Sequence, residues 1–143
     1  WKYYKSYDAS RIYIDDTKKN NPTIEYFIDV HRDSLPKDKT TVEINNKSYA
    51  KTIFLIGTEN PNYQENLDFV TRINNILNEK YPNLSKGIYQ KGGRGVNGVY
   101  NQDNSKHTML VEIGGPDNTT DEVLNSTLAF CDAFLEVISK NEG

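Results

Sequence analysis

Two short and almost continuous apolar runs stand out in an otherwise polar chain. Residues 23–30 (TIEYFIDV) and 108–113 (TMLVEI) are rich in β-branched and aromatic side chains. Runs of this length and composition are typical of strands that are covered on both faces, as in α/β proteins. We therefore predict that both runs are buried strands of one mixed sheet.

Two longer segments have the three- and four-residue spacing of amphipathic helices. Residues 62–81 place apolar side chains on one face before Pro82 stops the pattern. The segment at 120–139 follows a capping-box pair, Thr119 and Glu122. Its apolar stripe is expected to face the core and consists of Val123, Leu124, Leu128, Cys131, Leu135 and Ile138. Cys131 is accordingly interpreted as a core residue.

The remaining segments predict shorter elements. A helix is expected from about residue 8 or 10 to residue 19, and Asn20, Asn21 and Pro22 end it. Residues 40–44 and 48–57 flank an Asn-containing gap, which favours a β-hairpin. Residues 87–89 predict a short strand, followed by a glycine-rich polar loop, KGGRGVNG, at 91–98.

These elements predict a single α/β domain with a mixed sheet flanked by helices. The length of 143 residues suits one domain. The net charge is −3 and the lysines alternate with acidic residues, so no basic stripe favours a nucleic-acid partner. A single cysteine excludes a disulfide within the chain, and no apolar run reaches the ~18–20 residues of a membrane span.

Two ionisable residues lie at strand ends, where open α/β sheets tend to bind ligands. His31 directly follows the first predicted strand, and Glu112 lies near the end of the second. A neutral imidazole can ligate zinc, and a carboxylate beside an activated water can move its proton to a leaving amine. The pair suits metal-assisted amide hydrolysis. The alternatives are a hydrogen-bonded structural histidine and a buried carboxylate with an ion-pair partner.

A zinc site normally needs three protein ligands, and the residues supply no strong zinc spacing. His107 precedes the second strand in a polar segment, where loop packing or exposure is favoured over ligation. We place Asp29 on the opposite side of the strand from His31, so that the two form a ligand pair only if the strand ends at Asp29 or Val30. Asp33 is a looser candidate.

Three further polar residues are candidates for substrate binding, each with a plain alternative. Arg32 follows His31 and could orient substrate or belong to a solvated charge pair. Asn101 and Gln102 lie in a polar stretch that could contact an amide-rich substrate or could simply be a loop.

Four segments together resemble the stage II sporulation protein P family. They are FIDVHRDS at 27–34, GTENPNYQENLDF at 57–69, YNQD at 100–103 and LVEIGGPDNTTDE at 110–122. Their order and approximate spacing also agree, and they span most of the chain from about residue 8 to its end. The combination is specific, although each segment alone is weak.

The resemblance implies a zinc-dependent N-acetylmuramoyl-L-alanine amidase with a zinc-peptidase-like α/β fold. His31 matches the second zinc histidine of the family, and Glu112 matches its catalytic glutamate. The implied substrate is peptidoglycan, cleaved during engulfment in sporulation. The implied partners are stage II sporulation proteins D and M. The implied location is outside the cytoplasm, between the forespore and mother cell membranes, with a membrane anchor in the full-length protein.

The chain also departs from the family pattern. The family carries its other zinc histidine on an earlier strand, in a motif that residues 1–30 do not contain. Its N-terminal anchor is not present in these residues either. The expectation is therefore a catalytic domain lacking its N-terminal part, with an incomplete zinc site and no activity by itself. The competing hypothesis is an inactive glycan- or peptide-binding module, favoured by ten tyrosines and one tryptophan.

Overall fold

A computed structural model describes residues 5–140. Four α-helices and six strands follow one another in this part of the chain. They are α1 (Ser6–Asn20), β1 (Tyr26–His31), α2 (Lys37–Thr40), β2 (Thr41–Ile44), β3 (Lys47–Ala50), β4 (Thr52–Gly57), α3 (Tyr63–Lys80), β5 (Ser85–Lys91), β6 (His107–Ile113) and α4 (Thr120–Ser139). A 3-10 turn at Gln102–Asn104 precedes β6.

The two predicted strands are neighbours in one mixed sheet, as expected, but only β6 is buried. The prediction of burial was wrong for β1, which is an edge strand in which Ile28 is 37% and Val30 is 60% exposed. The strand order is β1-β6-β4-β5. β1 runs parallel to β6, β4 runs parallel to β5, and β4 runs antiparallel to β6. The α/β class and the flanking helices α3 and α4 are therefore confirmed.

The hairpin prediction was right for β2 and β3 but too long at its second strand. β2 and β3 form a separate antiparallel pair, and Asn45 and Asn46 at its turn have the positive φ angles that such tight turns need. The apolar run 48–57 is divided at Lys51. The Lys51 amide donates to Thr40 O at 2.7 Å and its carbonyl accepts from Gly114 N at 2.8 Å. This frees β4 to enter the main sheet.

One face of the main sheet forms the hydrophobic core with α3 and α4. The alternation along β4 and β6 turns Phe54, Ile56, Met109 and Val111 toward the helices. They meet Phe69 and Ile73 of α3 and Phe130 and Ala133 of α4. The opposite face of the sheet is left for the cleft described below.

The predicted core face of α4 was wrong along most of its length, although Val123 and Ile138 at its two ends do pack against the core. The side chains of Leu124, Leu128 and Leu135 are 52%, 57% and 58% exposed, and Cys131 is also exposed. The helix instead buries Glu122, Ser126, Ala129, Phe130, Ala133 and Val137. This face packs on α3 and the β2–β3 hairpin, whereas Leu124, Leu128, Cys131 and Leu135 point the other way. Within residues 5–140, no helix is both long enough and apolar enough to cross a bilayer.

Candidate active-site cleft

A cleft of about 430 Å³ opens on the face of the sheet that α3 and α4 leave uncovered. Its floor consists of side chains from β4 and β6, Leu55, Leu110 and Glu112, and β1 contributes His31. The walls are Tyr7 of α1, Tyr100 and the glycine-rich loop at residues 95–97, with Lys91 at the end of β5. The cleft is thus formed by elements far apart in sequence.

His31 and Glu112 lie side by side in this cleft. They are register partners in the parallel pair β1–β6, at the carboxyl ends of both strands. Both side chains line the same cavity. Convergence of ionisable groups from distant parts of a chain is a feature of functional sites.

Asp29 holds the imidazole of His31. Nε2 of His31 lies 2.9 Å from Oδ1 of Asp29. The placement of these residues on opposite sides of the strand was wrong, because residues two apart in a strand point to the same face. The hydrogen bond with Asp29 raises the pKa of His31; burial opposes this shift, and the charges of Asp29 and Glu112 add to it. The ring also stacks on Tyr7, with centroids 6.5 Å apart.

Glu112 is half-buried and is held by none of the side chains around it. Burial raises the pKa of its carboxyl group, and the charge of Asp33 adds to this effect. The positive charges of Lys91, His31 and Lys86 oppose it only in part. Within residues 5–140, no group donates a hydrogen bond to this carboxylate. An open carboxylate with a raised pKa suits general acid–base catalysis.

A second cleft of about 260 Å³ continues from the first. The two share Leu55, Lys91 and Glu112 as lining residues, so Glu112 lies where they meet. The second cleft also contains an ion pair between Asp33 and Lys86, with Nζ and Oδ2 3.1 Å apart. These side chains are only 10% and 19% exposed, which fixes Asp33 to Lys86 rather than to His31.

The glycine-rich loop is held in place over the large cleft by Glu59. Oε1 of Glu59 accepts a hydrogen bond from Gly93 N at 2.8 Å, and Glu59 N donates to Gly98 O at 3.0 Å. Gly98 has a φ of +75°, and a Cβ there would lie 2.1 Å from Oε2 of Glu59. Position 98 therefore requires glycine. The loop held in this way places Val96 and Asn97 in the wall of the cleft.

The three candidate substrate-binding residues have different environments. Arg32 is exposed and donates a hydrogen bond to the carbonyl of Gly115. Asn101 joins the cleft wall to α1, donating to Tyr7 O and Ser10 Oγ, both at 3.0 Å. Gln102 is fully buried. Its amide accepts from Gly57 N and donates to Leu55 O, both at 2.8 Å, so we assign it a structural role instead of substrate contact.

His107 is separate from the cleft. It begins β6, at the other end of the strand from Glu112, and stacks on Tyr26 with ring centroids 5.0 Å apart. It also contacts Phe69 edge-on. These contacts agree with the packing role favoured for it from the sequence.

Sequence reasoning missed two aromatic residues of the cleft. The rings of Tyr7 and Tyr100 meet edge to face, with centroids 5.4 Å apart, and both line the cavity. The aromatic segment WKYYKSY at the start of the chain was the available signal. It could not be assigned to the site because only the fold brings α1 next to residue 100.

Among residues 5–140, the cleft supplies one candidate zinc ligand, His31, but not the complete set of ligands that a zinc site needs. Across the described range 5–140, no group of three or more His, Cys, Asp or Glu side chains is placed to hold a metal ion. His31 is the donor that fits best, since Asp29 fixes one ring nitrogen and can orient the other toward a metal.

The fold and the cleft together define an α/β domain with paired ionisable groups at the carboxyl ends of parallel strands. Residues 1–135 match the family model described as Stage II sporulation protein P. The chain is also 41% identical over 135 residues to Stage II sporulation protein P of Bacillus subtilis (strain 168), an alignment covering 94% of this chain. The chain belongs to the stage II sporulation protein P family, which connects it with sporulation.

The chain spans about a third of this relative, since the alignment covers 34% of the relative's length. No solved structure matches the chain.

Proposed function

We propose that this chain is the C-terminal part of the catalytic domain of a peptidoglycan hydrolase. The reaction is cleavage of the amide between the N-acetylmuramoyl lactyl group and L-alanine, during engulfment in sporulation. The adjacency of His31 and Glu112 in one cleft supports this proposal most strongly. Membership of the stage II sporulation protein P family supports the sporulation context.

In this proposal Glu112 moves the proton. It accepts a proton from the attacking water and returns it to the leaving amine of the peptide, so that one amide bond breaks and one C–O bond forms. The raised pKa of Glu112 makes the carboxylate a stronger base toward the attacking water, and the carboxylic acid formed in that step keeps the proton until the leaving amine takes it. Half-burial of the carboxylate beside Leu55 and Leu110 limits competing contact with bulk water.

His31 is proposed as one zinc ligand. When bound, zinc would lower the pKa of the attacking water and polarise the scissile carbonyl. Asp29 would fix the orientation of the imidazole through Nε2, as carboxylates commonly do for ligating histidines. The other ligands would come from the part of the full-length protein outside these residues, in line with the 34% of the relative that the chain covers.

The cellular setting is proposed from the same family membership. The full-length protein would act outside the cytoplasm, between the forespore and mother cell membranes, anchored to a membrane. Stage II sporulation proteins D and M would be its partners, and no nucleic acid is expected to bind.

A catalytically inactive glycan- or peptide-binding module is the second candidate. The observation that favours it is the Tyr7–Tyr100 pair in the cleft wall, since aromatic faces suit contacts with sugars. A binding module would retain muropeptide without releasing products and would not depend on Glu112.

The decisive experiment compares the full-length gene product with residues 1–143. The full-length protein should bind zinc and release peptide from peptidoglycan, whereas residues 1–143 should do neither. In the full-length protein, His31→Ala should remove the metal. Glu112→Gln should leave zinc largely bound and lower turnover ~100-fold or more. Zinc content and turnover are measured on the same samples.

A thermal melt of the same samples separates chemistry from folding. Because the folded-state pKa of Glu112 is raised, the ionised side chain lowers stability near neutral pH, and Glu112→Gln should melt no lower than the wild type. Near-normal turnover by Glu112→Gln would refute its role as the acid–base group. Hydrolysis by residues 1–143 with stoichiometric zinc would refute the ligand assignment.

A further inference from the structure

Lys91 differs from the other cations around the two clefts because no group among residues 5–140 forms an ion pair with it. Lys86 is paired with Asp33 at 3.1 Å, and Arg32 donates to the carbonyl of Gly115. His31 is held by Asp29 at 2.9 Å. Lys91, in contrast, has neither an ion pair nor a side-chain hydrogen bond with any residue in the range 5–140.

The position of Lys91 places this charge next to the candidate acid–base group. Lys91 ends β5 and is the register partner of Gly57. Its side chain lines both clefts, as do those of Leu55 and Glu112. Lys91 and Glu112 are close enough for the lysine's charge to act on the carboxyl group. A substrate held against Glu112 therefore lies within reach of an unpaired ammonium group.

We propose that Lys91 binds a carboxylate of the stem peptide, on the leaving-amine side of the bond that is cleaved. This inference rests on the proposed hydrolase function. In the amide substrate the lactyl carboxyl group is already consumed, so the free carboxylates lie on the peptide half. Glu112 must deliver its proton to the amine of the peptide half, so this half lies against Glu112. Because Lys91 lines the same clefts as Glu112, the peptide also lies beside Lys91.

The same argument assigns a direction to the substrate. The peptide runs toward Lys91 and the second cleft, where Asp33 and Lys86 already neutralise each other. The sugar lies toward the aromatic wall of the large cleft, formed by Tyr7 and Tyr100. Lys91 is then a specificity residue that recognises charge and orients the substrate without taking part in the chemistry.

The test uses two substrates that differ in one group. N-acetylmuramyl-L-alanyl-D-glutamate has a free carboxylate where N-acetylmuramyl-L-alanyl-D-isoglutamine has a carboxamide. The full-length protein should cleave the acid with a KM roughly 3- to 10-fold lower than that of the amide, at similar kcat. This range is expected for a charge-assisted contact of an exposed lysine. Higher salt should reduce the preference.

Three variants identify the residue responsible. Lys91→Gln should raise KM for the acid to about that for the amide, so that the ratio of the two KM values approaches one. Lys91→Arg should restore most of the preference because it keeps the charge. Lys106→Gln is the matched control, since Lys106 is a 65% exposed lysine that pairs with Glu65 and does not line either cleft.

The outcomes separate this inference from the function on which it rests. If the wild type shows no preference for the acid, or if Lys91→Gln keeps that preference, the assignment of Lys91 is wrong while the hydrolase function stands. If the wild-type full-length protein releases no peptide from peptidoglycan, the proposed function falls and this inference falls with it. Loss of the preference in Lys91→Gln alone, with rescue by Lys91→Arg, supports the inference.

Discussion

Glu122 at the start of α4 gives the sharpest test of what stabilises this fold. Its carboxylate is only 8% exposed and accepts hydrogen bonds from Asn118 Nδ2 at 3.0 Å and Thr119 N at 2.9 Å. It also accepts one from Ser48 Oγ at 3.0 Å and pairs with Lys37 Nζ at 3.0 Å. The side chain thus closes the capping box of α4 and ties the helix to the β2–β3 hairpin and to α2.

The size of its contribution follows from its pKa. Burial works against ionisation, but the hydrogen bonds from Asn118, Thr119, Lys37 and Ser48 outweigh it and lower the pKa of Glu122 from 4.5 to about 2. Such a difference between unfolded and folded states corresponds to about 3 kcal/mol of stability at neutral pH. Because the folded-state pKa is the lower one, this contribution is present above pH 4.5 and is lost as the pH falls toward 2.

The perturbation is Glu122→Gln, which keeps a side chain that suits the capping box but removes the charge. The free energy of unfolding, measured in urea, should fall by about 3 kcal/mol at pH 7. The difference from the wild type should shrink steadily below pH 4.5 and nearly vanish close to pH 2.

The matched control is Glu136→Gln. Lys140 and Lys80 lower the pKa of Glu136 to about 2 as well, but this carboxylate is 31% exposed at the surface, where solvent screens its ion pairs. Its substitution should change stability much less at every pH. A loss below about 1 kcal/mol for Glu122→Gln at pH 7, or a loss that does not depend on pH, would refute the reasoning.

Two further substitutions test the packing. Phe130→Ala removes a side chain that is 4% exposed and contacts Phe54 and Phe134, so it should cost about 3–5 kcal/mol in urea unfolding. Leu128→Ala, on the same helix but 57% exposed, should cost less than about 0.5 kcal/mol, and equal losses would contradict the observed face of α4. Gln102→Leu leaves Gly57 N and Leu55 O without their buried partner and should cost about 2–3 kcal/mol, whereas a neutral result would mean that water replaces the amide.

The strands and the long helices were predictable because their signals are local. Continuous apolar runs located β1 and β6 to within a few residues, and a regular three- and four-residue spacing located α3 almost to its ends. Extension of the hairpin through residue 57 was wrong because an apolar run does not show where one strand leaves its sheet. That boundary depends on tertiary hydrogen bonds of Lys51 with Thr40 and Gly114.

The face of α4 could not be predicted from hydrophobicity. Leu124, Leu128 and Leu135 form an apolar stripe, yet they are exposed. The buried face combines Phe130 and Val137 with small residues. Burial depends on which face fits the neighbouring elements as well as on its apolar area. The α4 sequence offers two faces that could be buried, and only the packing partners decide between them.

Only some residues of the candidate site could be recognised from the sequence. His31 and Glu112 were identifiable because an ionisable group at the end of an apolar strand conflicts with its surroundings. Lys91, Tyr7 and Tyr100 produce no such local conflict. A lysine beside a glycine-rich loop and a tyrosine on a surface helix are ordinary in sequence, and only the fold brings them to one cleft.

Glu112 is half-buried and Glu122 is buried, but the pKa values of the two carboxylates are shifted in opposite directions. Burial disfavours ionisation of both, but Glu122 is surrounded by donors that lower its pKa to about 2. For Glu112 the residues of the described range 5–140 supply no donor, and its pKa is raised instead. A carboxylate kept for stability alone would gain from such partners, as Glu122 does. The lack of hydrogen-bond donors around Glu112 lowers the stability of the fold near neutral pH. It also leaves the carboxylate oxygens accessible to a ligand in the cleft. The contrast is therefore better explained by a role of Glu112 toward a ligand than by a role in holding β6 in place.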